Sequence, residues 1–230
     1  MTRIKRHFPG ESQAYRKYRE KLLKAEIALK DQREKVAQLR RKLPTGGKVE
    51  TDYKFREGPP DLNANSPDRF FDTRLSQLFQ DGNDLLLIDH MMFGADWDEG
   101  CPMCSMWADG FDAIVPHVQD KANFVLVARV ELGKLRDWGR GRGWRNLRLL
   151  SSEQNSFNQD YNVEIDASRQ LPGLSVFRRL PAGGIVHLYT TEGSLEERHH
   201  RGMDLFTPVW NLLDLLPEGR GDWMPKQFYT

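Results

Sequence analysis

Residues 12–43 place apolar side chains at Tyr15, Tyr18, Leu22, Ala25, Leu29, Val36, Leu39 and Leu43. The intervals of three and four describe a helix with one apolar seam, and only Gln32 interrupts the seven-residue register. No Pro or Gly falls inside. Ser12 suits an N-cap, and Pro44 with Gly46-Gly47 stops the helix. Glu20–Lys24, Glu26–Lys30 and Asp31–Lys35 add pairs in the favoured acid-before-base order. At 1.5 Å per residue such a helix spans roughly 45–50 Å, more than a small domain. It is expected to pair with a second subunit, giving a coiled-coil homodimer; lying across its own domain is the alternative.

The period is lost over residues 49–69, where Gly58-Pro59-Pro60 and Asn63-Ala64-Asn65-Ser66-Pro67 are turn formers. This stretch reads as a linker. Beyond it the pattern alternates. A short helix is expected near Leu75–Phe79, then a strand over 84–92, a helix over 102–119, a strand over 123–130, a helix over 131–141 and a strand near 146–151. Strands at 174–180 and 184–190 flank Pro181-Ala182-Gly183-Gly184, a hairpin signature. A last helix fits 203–215. Continuous apolar strands between helices indicate an α/β domain with a mixed, largely parallel sheet, covered on both faces and edged by the hairpin. The expected organisation is a helical arm (1–48), a linker (49–69), the α/β domain (70–216) and a tail (217–230).

The chemistry is concentrated in one place. The chain has 230 residues and two cysteines, Cys101 and Cys104 in Cys101-Pro102-Met103-Cys104, between the first apolar strand and the helix after it. Cysteines three apart at a helix start share a face, with Cβ atoms roughly 5–6 Å apart, within reach of a disulfide after modest adjustment. Pro102 suits the first helical position, which puts Cys101 at the N-cap, facing the positive end of the helix dipole. That position lowers a thiol pKa and marks Cys101 as the nucleophile. Cys104, one turn in, is expected to be shielded and to resolve a mixed disulfide. Its proton needs an acceptor. Leu85, Leu87 and Asp89 share a strand face, so Asp89 would lie partly buried beneath the motif, with its pKa raised to that of a usable base. His90 points to the opposite face, as a hydrogen-bonded core histidine. Met103, Trp107, Phe111, Ile114 and Val118 form a helical stripe expected to face the core.

Composition narrows the setting. The hydrophobic fraction of 39% supports a real core. No run of ~18 apolar residues is present, so no membrane span is expected. The N-terminus lacks the apolar stretch of a secretory signal, and a cytoplasmic location is expected. There, a CxxC pair is redox-active or metal-binding rather than a staple. The net charge of +1 conceals an asymmetry: residues 1–48 hold 15 Lys/Arg against 5 Asp/Glu, and the other 182 hold 19 against 28. A basic arm on an acidic body can bind nucleic acid, but it lacks the clustered Gly, Ser and aromatic residues of RNA-binding tails. Docking on its own body or a sister subunit is preferred. No dinucleotide fingerprint, P-loop or His-Glu-x-x-His is present, so no cofactor is expected.

The element order is that of the thioredoxin fold, with CxxC after the first core strand. Longer words carry a more specific likeness: Tyr15-Arg16, Asp52-Tyr53-Lys54-Phe55, His90-Met91-Met92-Phe93-Gly94, Asp96-Trp97-Asp98, Gly100-Cys101-Pro102-Met103-Cys104-Ser105, Trp107-Ala108-Asp109, Gly143-Trp144, Ser175-Val176-Phe177 and Pro217-Glu218-Gly219-Arg220. On these the chain resembles the thioredoxin-like family called domain of unknown function 899, distant kin of thioredoxins and peroxiredoxins. Departures include Asp89 where the family carries Tyr, Ala128 where it carries Ser, and Leu188 within its His-Thr-Tyr word.

The resemblance implies a dithiol–disulfide oxidoreductase that acts on a disulfide or thiol substrate with a separate electron donor. An Asp on the strand before the motif, as in thioredoxin, supports the role of Asp89. Pro172 and Phe177 keep the spacing of the thioredoxin Pro and Phe on the strand facing the cysteines; carried over, Pro172 would be cis and line the substrate groove. Trp97, before the motif, and Arg129, after the next strand, complete the candidate substrate-binding set, Arg129 as a cation for the thiolate or an anionic substrate. Asp96, Asp98 and Glu99 oppose a low thiol pKa, unless one caps the helix. A peroxidase is one alternative, weakened because Asp98 stands where peroxiredoxins place Thr or Ser. A metal or haem site using the cysteines with His90, His117 or His187 is another, as is a partner-recruiting module. One CxxC supplies only two of the four ligands of a structural zinc, and Ser105 stands where haem attachment needs His.

Overall fold

The computed structural model describes residues 7–166, 169–191 and 201–228. The chain divides into two units, 1–44 and 45–230.

The first unit is helix α1 (Gln13–Arg41), capped by Ser12 Oγ, which accepts from the Tyr15 amide at 3.1 Å. None of its residues is buried, and Tyr15, Tyr18, Leu22, Leu29 and Leu39 are all exposed. Of the remaining seam residues, Val36 is half-buried.

The second unit is built on a seven-stranded sheet. Its strands are β1 (Lys54–Glu57), β2 (Phe71–Arg74), β3 (Leu85–Met91), β4 (Asn123–Ala128), β5 (Leu149–Ser151), β8 (Gly173–Arg179) and β9 (Ile185–Thr190), in the order β2-β1-β5-β4-β3-β8-β9. β3, β4 and β5 run parallel, and the other pairings are antiparallel. Helices α2 (Pro102–Val118) and α3 (Leu132–Arg142) make the two crossovers. Both crossovers step in the same direction along the sheet, so right-handed connections place both helices on one face. Cys104, Trp107, Phe111 and Val115 of α2 and Leu135 of α3 pack there with Met91, Phe124, Leu126 and Leu149. The opposite face is covered by Tyr53, Leu75, Leu78 and Phe157, over Leu86, Ile88, Val125, Val127 and Phe177. Short helix α4 (Phe157–Asp160) supplies Phe157, and a two-stranded ribbon, β6 (Glu164–Asp166) with β7 (Arg169–Gln170), follows it. Helix α5 (Val209–Leu213) closes the described chain's secondary structure.

Several expectations are corrected. Residues 49–69 are not a linker. The Val49 amide bonds the Ile185 carbonyl at 2.9 Å, β1 lies between β2 and β5, and residues 59–65 wrap the Arg136 guanidinium. Arg136 is buried and bonds the carbonyls of Pro59 and Asp61 and the Asn65 side chain. The final helix is broken: a 3-10 turn spans Arg201–Leu205 and α5 begins only after Pro208, whose missing N–H stops a continuous helix. On α2 the buried stripe runs through Cys104, Trp107, Ala108, Phe111 and Val115, whereas Ile114 is exposed. The hairpin turn takes φ of +88° and +85° at Gly183 and Gly184, a region closed to most side chains. His199-His200 lie outside the described residues.

Candidate active site

Strand alternation sets the floor of the site. Leu87, Asp89 and Met91 face α2, while Leu86, Ile88 and His90 face the other way. Asp89 pairs across to Leu126 on β4 and Leu174 on β8, so it lies mid-sheet, 2% exposed. Its Oδ2 has no hydrogen-bond partner among the described residues. Burial pushes this carboxyl up to about 8.

The turn into α2 places the cysteines. The Cys101 amide bonds the Met92 carbonyl at 3.0 Å, folding the 93–100 loop back onto the strand end. Cys101 is the N-cap, Pro102 opens the first turn, and the Cys101 carbonyl accepts from both the amide and the hydroxyl of Ser105, each at 2.9 Å. Trp138 of α3 donates its indole N–H to that hydroxyl at 3.0 Å, which ties α3 to the first turn of α2. Gly100 completes the turn. An added Cβ there would lie 2.5 Å from Met91 Cε and 3.0 Å from Trp138 Nε1, so only glycine fits without displacement.

The two cysteines differ in exposure, Cys101 being partly exposed and Cys104 buried. Their environments divide the pair. The Cys104 thiol donates to Cys101 and, with the amides of Met103 and Cys104, brings the Cys101 thiol down to about 7 against the opposing effect of burial. Cys104 is pushed far up, first by burial, then by Cys101 and by the charge of Asp89. One thiol is therefore partly exposed and lowered towards neutrality, and its neighbour is buried and raised.

The remaining candidates are placed as follows. Trp97 is half-buried. Its indole lies over Gly94, where an added Cβ would be 2.8 Å from Nε1, and its carbonyl accepts from Lys134 Nζ. Arg129 is turned to other partners: its Nε bonds Glu164 at 3.0 Å and its Nη1 bonds the Glu153 carbonyl. This ion pair replaces the expected contact with the thiolate. The Leu171–Pro172 bond is trans, as is every peptide bond of the described residues, correcting the cis expectation. Trans is the ground state of an X–Pro bond, and Pro172 lines a cavity of about 410 Å³ with Tyr161, His187 and Thr191 that does not include the cysteines. His90 lies on the far face, its Nε2 2.7 Å from Ser175 Oγ and its ring stacked on Phe157. Burial and His187 hold it down to about 3, so it stays neutral. Asp96, Asp98 and Glu99 are exposed, and none caps α2.

Sequence reasoning missed the C-terminal contribution. Gln227 Nε2 donates to the Gly100 carbonyl at 2.7 Å, and Phe228 packs at a tilt against Trp138 with ring centroids 5.6 Å apart. The only advance signal was the pair of aromatics ending a polar tail.

The model of a bacterial protein family of unknown function, DUF899, matches residues 5–229. The chain belongs to the DUF899 family. No curated protein sequence matches it. Among solved structures, an X-ray structure of a peroxiredoxin aligns with a TM-score of 0.50 at 15% identity, covering 66% of this chain and 84% of that one. The Plasmodium falciparum antioxidant protein, a 1-Cys peroxiredoxin, aligns at 0.48 and 15% identity, covering 66% and 83%. At such identity the likeness concerns fold alone: this DUF899 member has a thioredoxin-like α/β fold. Among its described residues, no helix is long and apolar enough to cross a membrane.

Proposed function

We propose that this DUF899 protein is a dithiol–disulfide oxidoreductase, with Cys101 the nucleophile, Cys104 the resolving thiol and Asp89 the group that exchanges a proton with Cys104. The observation that carries this reading is the division of the pair by position: Cys101 caps α2 and is partly exposed, Cys104 lies buried one turn in, and the contact between their thiols lowers the first and raises the second. A pair used only for packing has no need of that division, whereas stepwise thiol exchange depends on it.

In the reductive direction the Cys101 thiolate attacks one sulfur of the substrate disulfide. An S–S bond forms between Cys101 and that sulfur, and the other substrate sulfur leaves as a thiolate that takes a proton from water. Cys104 then loses its proton to the Asp89 carboxylate and attacks Cys101 Sγ. The Cys101–Cys104 disulfide forms, and the second substrate sulfur departs and is protonated. The substrate gains two electrons and two protons, and the protein loses them. A separate dithiol reductant restores the pair. The reverse sequence oxidises a dithiol by the same atoms. Burial keeps Asp89 near neutrality, where both its forms are populated, as proton exchange requires.

The experiment is stoichiometric. Reduced protein treated with an aromatic disulfide reagent should release two reagent thiolates and end with an internal disulfide. Cys104→Ser should release one and retain the other half as a stable mixed disulfide on Cys101. Two stable adducts on the unsubstituted protein would refute the assigned roles.

A further inference from the structure

The residue before Cys101 is met by the chain's own C-terminal segment. Gln227 makes two hydrogen bonds of different kinds. Its side-chain amide donates to the Gly100 carbonyl at 2.7 Å, and its own carbonyl accepts from Arg142 Nη1 at 2.9 Å. The Arg142 side chain is 3% exposed and is held by a bidentate pair with Asp109, which also accepts from the Trp144 indole at 2.7 Å. The donor is thus fixed before anything binds it. The Gly100 carbonyl is held by the turn into α2, whose next amide, that of Cys101, bonds the Met92 carbonyl at 3.0 Å. One residue on, Phe228 rests on Trp138 and lines a groove of about 250 Å³ with Phe93, Asp98, Lys134 and Arg142.

These parts are what an extended polypeptide needs: a rigid acceptor, a rigid donor for a main-chain carbonyl, and an aromatic floor. The occupant is held weakly. Phe228 stays 56% exposed, and two hydrogen bonds with one half-covered ring make a contact of low local stability. Trp138 links the groove to the chemistry, since its indole N–H bonds Ser105 Oγ, which in turn bonds the Cys101 carbonyl.

We infer that the surface now covered by Gln227 and Phe228, around the Gly100 carbonyl, Arg142 and Trp138, is a docking subsite for a polypeptide substrate, the two tail residues acting as a substrate mimic in the resting protein. The inference rests on the dithiol reading and names its substrate class: a disulfide or thiol in a peptide segment bearing an aromatic side chain, rather than a small free disulfide. A substrate segment would replace Gln227 on the Gly100 carbonyl and Arg142, and lay its aromatic ring on Trp138, whose indole is tied through Ser105 to the Cys101 carbonyl.

The test uses the full-length chain and a fluorescein-labelled nonapeptide with the sequence of residues 222–230. Anisotropy would be followed with the unsubstituted protein and with Gln227→Ala/Phe228→Ala, whose changes lie on an exposed tail. The substituted protein should bind the peptide about tenfold more tightly, the equivalent of removing one internal competitor. A control peptide with Ala-Ala for Gln-Phe should not bind. Equal affinities for the two proteins, or equal binding of the two peptides, would overturn the inference. Because this readout needs no redox step, it separates failure of the groove from failure of the dithiol chemistry. A second readout is kinetic. The double substitution should raise the rate with a disulfide of the unlabelled peptide class several-fold, while iodoacetamide alkylation of Cys101 stays within about twofold. Equal acceleration of both reagents would indicate general unmasking of Cys101 and would count against a peptide subsite.

Discussion

Asp89 is a buried carboxyl whose proposed role in proton exchange comes at the expense of stability. Its carboxyl is raised from the ordinary range to about 8, so the folded protein keeps a proton that the unfolded chain releases. The resulting stabilisation is complete below about pH 4 and is lost as pH rises towards 8. Asp89→Asn should therefore be more stable than the parent at pH 8, by an amount on the order of a few kcal/mol, and equal to it near pH 4. Urea denaturation at the two pH values measures this. The same substitution should slow resolution of the Cys101 mixed disulfide about a hundredfold and flatten its rise between pH 6 and 8. A destabilised, fully active Asn variant would remove Asp89 from the mechanism. Cys101 has the opposite sign: its thiol is lowered to about 7, so its alkylation rate should rise with pH and level off above neutrality. In the unfolded chain the midpoint should move up to about 8.5.

At the scale of elements, the turn from β3 to α2 is the part that tolerates least. Gly100→Ala would drive a methyl group into Met91 Cε and Trp138 Nε1. A loss of about 1–3 kcal/mol is expected for such overpacking, together with a lowered rate of Cys101 alkylation as the Trp138–Ser105 bond is disturbed. Chemical denaturation and alkylation kinetics check the two effects separately. The main elements here were legible because their signals were local. Period two along Leu85–Asp89 put the carboxyl and the histidine on opposite faces, and Cys-Pro at a helix start fixed the cap. What escaped depended on distant partners. β1 has four residues and finds its place only through β2 and β5. The turn-rich stretch 58–65 looked irregular because its order comes from Arg136, about seventy residues on, whose guanidinium takes up its carbonyls. Arg129 was expected at the thiolate because its partner Glu164 lies on a ribbon too short to read from pattern.

For the whole molecule, the open question of scale is what covers α1. Its seam of Tyr15, Tyr18, Leu22, Leu29, Leu39 and Leu43 is exposed along the helix, and an isolated helix is stabilised mainly by packing of its apolar face. Self-association through this seam is the proposal. Around a parallel seam, Lys21 would meet Glu26 of the second copy, while Lys35 would meet Arg40, so one attractive pair offsets one repulsive pair. Association should accordingly depend on concentration and little on salt. Leu29→Lys should weaken it at least tenfold without altering denaturation of the body. Sedimentation velocity at two ionic strengths decides this: loss of the dimer in salt would point instead to the basic arm docking on an acidic body.

The central claim is that Cys101 and Cys104 form one reversible two-electron couple, and a redox titration of metal-free protein against graded dithiothreitol or glutathione buffers tests it most directly. Thiols counted at each step should fall from two to none in a single transition. Its midpoint would give the preferred direction, near about −270 mV for a reductant and near about −120 mV for an oxidant. Two thiols that persist across the whole range, or that become countable only after a chelator is added, would contradict the account.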